Sequence, residues 1–287
     1  MTSYVSGWSC DRNTDGSKIA KFSLGGLYEI PDMLYYDPRF SREYITNMSK
    51  ISNLYEKIPK KFLDEADNPN FDIHHLKIPF RTCIVAPSGS GKTNFLVNLL
   101  QMFCSGRGTF ASIAIITRNK DEPLYRWLED KSDQITIKEG LHNTPKLDDM
   151  DKTVNHLVVW DDLVLSKDLS TCENYYIRAR KLNCSVIFIS QSYFRIPKTI
   201  RNNCSYMVLL KLSGNREVNI IMSEFGLGVT KEELLAVYEY ATHEKFSPLL
   251  IDMECPKEQR FRKGVDEILD VAAIVGRHSG AEEKEGK

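Results

Sequence analysis

With 287 residues, 42% hydrophobic and 27% charged, and with 38 basic against 39 acidic side chains, the chain has the make-up of one large or two small globular domains. That composition excludes wholesale disorder and collagen-like repeats, and the longest uncharged runs, such as residues 83–91, fall far short of the roughly 18 apolar residues of a membrane span. The opening MTSYVSGWSCDRNTDGSK has no secretory-leader pattern, and the seven cysteines include no CxxC pair, so a reduced, cytoplasm-like compartment is expected and no metal-binding His or Cys site is.

Residues 1–75 mix aromatic side chains (Tyr28, Tyr35, Tyr36, Phe40, Tyr44) with Pro31, Pro38, Pro59 and Pro69, and read as an irregular N-terminal extension. From Phe80 the pattern becomes short apolar runs alternating with helical stretches, the signature of an α/β fold with a mainly parallel sheet and helices on both faces. Strands are expected at Thr82–Val85, Ser112–Thr117, Ile135–Lys138, His156–Trp160, Ser185–Ser190, Tyr206–Lys211 and Leu249–Asp252. Helices are expected at Thr93–Phe103, Leu169–Lys181, Arg216–Phe225 and Thr230–Ala241, the last opened by a Thr230/Glu233 capping box. The domain so outlined covers residues 76–275, and the polar tail 276–287 is expected to be disordered.

Between the first strand and the first helix stands APSGSGKT, residues 86–93, which matches the phosphate-binding loop GxxxxGK[ST] except for Ala86 in place of the first glycine. Ser88, Gly89, Ser90 and Gly91 should turn backbone N–H groups toward a phosphate, with the helix N-terminus adding its positive end. Lys92 should reach the β- and γ-phosphates, and the Thr93 hydroxyl is a hard donor for Mg²⁺. The run HLVVWDD, residues 156–162, ends a buried strand in two carboxylates, of which Asp161 suits the metal shell and Asp162 the activation of water. Gln191, at the end of SVIFISQS, is placed as a polar sensor of the γ-phosphate on the next strand, and the motif order suits P-loop proteins with an inserted strand.

Three blocks, APSGSGKT, HLVVWDD and SVIFISQSYFRIPKTIRNNCSYMVLLK, together resemble the viral DNA-packaging ATPases of the FtsK/HerA superfamily, in the poxvirus-type branch found in giant viruses and virophages. The resemblance covers roughly residues 76–225 and leaves residues 1–75 unplaced. It implies a RecA-like P-loop NTPase core, assembled as a pentameric or hexameric ring, that hydrolyses ATP with Mg²⁺ and drives double-stranded DNA into a capsid at the assembly site in the host cytoplasm. It also implies the phosphate, metal, water-activating and sensor roles of Lys92, Thr93, Asp161, Asp162 and Gln191. Asp162 stands where cellular members usually have glutamate, which shortens the acid's reach.

A further implication is an arginine donated from a neighbouring subunit, because a planar, permanent cation matches the charge that develops on the γ-phosphate. Arg178, Arg180, Arg195 and Arg201 are candidates, with Arg180 favoured. Residues 177–218 carry eight basic side chains and one acidic, which would make a polyanion surface if they converged, whereas residues 121–151 carry nine acidic and four basic. A HerA-like DNA pump or helicase of cellular or plasmid origin is the nearest alternative, sharing every catalytic residue; a small-molecule kinase and a nucleotide-gated virion component fit the acid pair less well.

Overall fold

The computed structural model describes residues 8–12, 18–22, 53–57, 59 and 66–277. The chain divides into two compact units, Met1–Leu63 and Asp64–Lys287. In the first, β1 (Trp8–Arg12) and β2 (Lys18–Phe22) form an antiparallel hairpin, where the sequence suggested only irregular chain; the tyrosine- and proline-rich stretch from Tyr28 to Tyr44 lies outside the described residues.

The second unit is built on a nine-stranded sheet. Its strands are β3 (Arg81–Val85), β4 (Ser112–Thr117), β5 (Ile135–Glu139), β6 (His156–Asp161), β7 (Cys184–Ser190), β8 (Tyr206–Leu209), β9 (Leu249–Asp252), β10 (Phe261–Lys263) and β11 (Glu267–Ile268), in the spatial order β11-β10-β9-β8-β3-β7-β6-β4-β5. Six strands, β8-β3-β7-β6-β4-β5, run parallel, and β9, β10 and β11 add an antiparallel flank. All seven expected strands are present. β7 lies between β3 and β6, which is the inserted-strand arrangement that the order of motifs suggested.

Both faces of the sheet are covered, which is why its central strands are apolar on both sides. All seven residues of β7 are buried. One face packs Trp160, Tyr175, Tyr176, Phe188 and the helices Arg216–Glu224 and Lys231–Ala241; the other packs the helix Lys92–Phe103 with Ile84, Ile115, Tyr125 and Ile189. Each fully buried aliphatic or aromatic side chain contributes roughly 1.5–3 kcal/mol, so these two layers dominate the stability. The capping box at Thr230 forms as expected, Thr230 N–H donating to Glu233 at 2.6 Å and Glu233 N–H to the Thr230 hydroxyl at 3.2 Å.

Several boundaries move. Residues 66–75, assigned by sequence to the extension, belong to the sheet unit: buried Asn70 donates to the carbonyls of Phe103 and Ser105 and to Thr109, at 2.9–3.1 Å. His74 is also buried, accepting at Nδ1 from Leu76 N–H. The strand expected over Tyr206–Lys211 stops at Leu209, and the helix expected over Leu169–Lys181 ends at Arg178 and tightens into a 3₁₀ turn over Ala179–Leu182. Helix continues over 271–277, past the expected end of the domain at 275; residues 278–287 of the expected disordered tail lie outside the described residues.

Candidate active site

The parallel strands bring three turns to one edge of the sheet, the edge at their C-terminal ends. β3 runs into Ala86–Thr93, β6 into Asp161 and Asp162, and β7 into Gln191. Register fixes their neighbourhood: Val85 pairs with Ser190, Asp161 pairs with Ile189, and Ala86 N–H donates to the Ser190 carbonyl at 3.0 Å.

The loop has the backbone its glycines promise. Gly89 and Gly91 adopt φ of +76° and +95°, a region closed to most side chains, and Gly91 caps the helix that starts at Lys92. The Ser90 hydroxyl and the Lys92 ammonium both donate to the Pro87 carbonyl, at 2.6 and 3.1 Å, so the lysine is folded back within its own loop. The ring of Phe246 lies against Gly91: a Cβ added there would sit 2.2 Å from the ring's Cδ1. Phe246 itself has φ of +69°, rare for a residue with a side chain.

Asp161 is buried. Its Oδ2 accepts from the Tyr125 hydroxyl at 2.6 Å, while Oδ1 has no protein donor. Burial pushes the Asp161 carboxyl up, against the pull of the Tyr125 hydrogen bond and of the Lys92 ammonium. Tyr125 is raised in turn, chiefly by burial and then by the Asp161 charge, so it stays a donor. A buried carboxylate oxygen without a protein donor is a hard ligand suited to a small divalent cation, and the Thr93 hydroxyl, at the start of the helix that follows the phosphate loop, is a second hard oxygen on the same edge. Asp162 steps into the left-handed region at φ of +55°, which turns its side chain out of the strand, and its Oδ1 accepts from Gln191 Nε2 at 3.0 Å.

The structure thus gathers Ser88, Gly89, Ser90, Gly91, Lys92, Thr93, Asp161, Asp162 and Gln191 on one edge. Arg180 is not among them. It precedes β7, at the N-terminal edge, where it lies 3.8 Å from Glu254 and near Arg81, the first residue of β3, whose guanidinium is depressed by burial and then by the Arg180 charge. The five residues of β3 put that edge roughly 16 Å from the loop at about 3.3 Å per residue, so Arg180 does not serve the site of its own chain.

The basic run does not converge on one surface as the sequence suggested. Arg178, Arg180 and Lys181 lie before β7, whereas Arg195 follows it and Lys211 and Arg216 follow β8, so the charges are split between opposite edges. Arg201 is withdrawn altogether, stacked 4.8 Å from the Tyr193 ring and paired with Glu224 at 2.8 Å with only 13% of its side chain exposed.

Two residues at the site carry no signal in the sequence that singles them out. Tyr125 sits on the helix Pro123–Lys131 inside the acidic run, and Phe246 sits in an ordinary-looking loop; only the fold puts them against Asp161 and Gly91.

The profile of the Poxvirus A32 protein family matches residues 69–251, close to two thirds of the chain and all of the site. The chain is 24% identical over 230 residues to the DNA packaging protein OPG160 of vaccinia virus, a match covering 71% of this chain and 83% of the relative, and it matches the variola virus protein to the same extent. Among solved structures, the genome packaging NTPase B204 of Sulfolobus turreted icosahedral virus 2 with ATP-gammaS superposes with a TM-score of 0.48 at 12% identity, covering 67% of this chain and 98% of that one.

Proposed function

The chain belongs to the Poxvirus A32 protein family, and from that premise we propose that it is an ATPase whose hydrolysis of ATP drives double-stranded DNA into a viral capsid. The observation that carries the hydrolytic part is the bond between Gln191 and Asp162 at 3.0 Å, on the turns next to the phosphate loop. Holding a nucleotide needs the loop alone; an outward-turned acid tied to a glutamine beside it is equipment for activating water.

On this reading the β- and γ-phosphates displace Lys92 from the Pro87 carbonyl and take the loop's N–H groups. Thr93 and Asp161 would hold Mg²⁺, which when bound neutralises charge on the phosphate oxygens. Asp162 accepts a proton from the attacking water as its oxygen bonds to the γ-phosphorus and the bond to the β-phosphate oxygen breaks. Gln191 holds Asp162 in place before the reaction and reports the presence of the γ-phosphate to the neighbouring strand. Contacts to DNA run through its phosphates, independent of sequence.

We propose further that the working form is a homo-oligomeric ring, pentameric or hexameric, in which an arginine of one subunit completes the site of the next; Arg180, remote from its own loop and exposed, is that arginine. The place of action is the viral assembly site in the host cytoplasm, with the capsid's packaging vertex as partner. Phosphate release measured with and without long linear duplex DNA tests the motor. Mg²⁺-dependent hydrolysis stimulated by duplex of any sequence, the stimulation fading steeply with salt, is expected; hydrolysis indifferent to DNA would remove the motor. Mixing Arg180→Ala with Lys92→Ala subunits tests the ring, since some interfaces regain one good loop facing one good arginine and should recover activity.

A further inference from the structure

A cavity of about 330 Å³ opens beside the phosphate loop, along the flank of the helix Lys92–Phe103. Asn94 and Asn98, one turn apart on that helix, line one side; Phe246, Ser247 and Pro248, ahead of β9, and Asp266, in the turn between β10 and β11, line the rest.

Phe246 is not placed there by packing. The residue is 43% exposed, its backbone is in the left-handed region, and its ring rests on a phosphate-loop glycine with the Lys245 ammonium 4.8 Å from its centroid. A half-exposed ring held on a strained backbone is a pattern found where a ligand is gripped. Geometry supplies the ligand. A nucleotide whose phosphates occupy the loop has its α-phosphate near the first helical turn, so the nucleoside must leave along one flank of that turn. The cavity begins at Asn94, the residue after Thr93, and Phe246 closes the space between it and the loop.

We propose that this cavity is the nucleobase site, with the Phe246 ring as the platform on which a purine stacks and with Asp266 and Asn98 as hydrogen-bond partners for its edge. The inference rests on the nucleotide reading above and adds the residues that hold the base. An aromatic ring accepts any base face, while a carboxylate accepts from an exocyclic amino group and an amide serves as donor or acceptor. Asn98 Nδ2 donates to the Asn94 carbonyl at 2.7 Å, which leaves its amide oxygen and second amide hydrogen for the base edge.

The test compares ATP with inorganic tripolyphosphate, which has the phosphates and no base, by calorimetric titration with Mg²⁺. The intact chain should bind ATP more tightly than tripolyphosphate. Phe246→Ala should weaken ATP by about tenfold or more and leave tripolyphosphate unchanged. Phe246→Tyr, which keeps the ring, should bind ATP as the intact chain does, and Asn98→Trp, which fills the cavity from an exposed position, should repeat the loss. Unchanged ATP affinity in Phe246→Ala, an equal loss for both ligands, or equal affinity of the intact chain for the two would overturn the base site while leaving the phosphate loop standing. Failure of the intact chain to bind either ligand would overturn the nucleotide reading itself.

Discussion

Asp252 and Asp161 are both buried carboxylates at strand ends, on opposite edges of one sheet. Asp252 accepts from Arg262 at 2.9 Å and from the N–H groups of Glu254 and Cys255, and Arg262 spends its other arm on the carbonyls of His75 and Val265. Asp161 has a tyrosine hydroxyl on one oxygen and no protein donor on the other. At the N-terminal edge the fold neutralises buried charge within itself; at the C-terminal edge it leaves charge for something else to satisfy. The left-handed Asp162 and Phe246 and the folded-back Lys92 lie at that same edge, with two further left-handed residues, His75 and Asn183, at the other. Arg262 Nε lacks an acceptor too, but its charge is already paired; an unpaired carboxylate oxygen beside a phosphate loop is what separates the site from the structural ion pair.

Substitution of the two aspartates should pull the edges apart. Asp252→Ala strands a buried guanidinium and should cost about 3–5 kcal/mol, read as a lowered denaturant midpoint. Asp161→Asn should have the opposite balance. Its folded-state pKa is raised by burial, so its contribution to stability is present in acid and lost as pH rises through that value, and at neutral pH the charge is a burden on the fold. Unfolding should therefore show an Asp161→Asn protein no less stable than the original, with turnover down by about 10²-fold or more. Equal destabilisation by both would erase the distinction.

Acid should find the N-terminal edge first through His74. Burial, and then the charge of His75, lower its pKa from 6.5 to about 4, and its Nδ1 is committed to the Leu76 N–H. A depressed folded value means stability present above pH 6.5 and lost as pH falls toward 4, by about 3 kcal/mol in total. His74→Gln, which keeps an acceptor but does not titrate over this interval, should flatten the unfolding free energy there. An unaltered pH dependence would show that other groups carry it.

A smaller effect isolates the link between the core and the site. Tyr125→Phe removes the donor to Asp161 without emptying space, and should cost about 1–3 kcal/mol of stability. It should also raise the Mg²⁺ concentration needed for half-maximal activity, because the carboxylate is no longer held in one orientation. A shift in stability without a shift in metal dependence would make Tyr125 a structural group only.

The sequence made the parallel core and the site legible through the same residues: long apolar runs each ending in a motif, as in CIVAPSGSGKT and HLVVWDD. What it hid has physical reasons. β10 and β11 are three and two residues long, too short for any periodicity. The helix Pro123–Lys131 buries only Tyr125 and Leu128, and its charged remainder reads as a solvated acidic stretch. The basic run looked like one surface because linear spacing carries no information on which edge of a sheet a residue reaches; a strand separates Arg180 from Arg195. Phe246 meets Gly91 across 155 positions of chain, and no local pattern reports such a contact.

The claim that the C-terminal edge is a hydrolytic nucleotide site is tested most directly by titrating a fluorescent ATP analogue and measuring phosphate release in parallel on two variants. Lys92→Ala should lose both binding and turnover. Asp162→Asn should bind as the intact chain does and turn over about 10²–10⁴-fold more slowly, since it loses only the acceptor of the water's proton. Undiminished turnover in Asp162→Asn, or undiminished binding in Lys92→Ala, would contradict it.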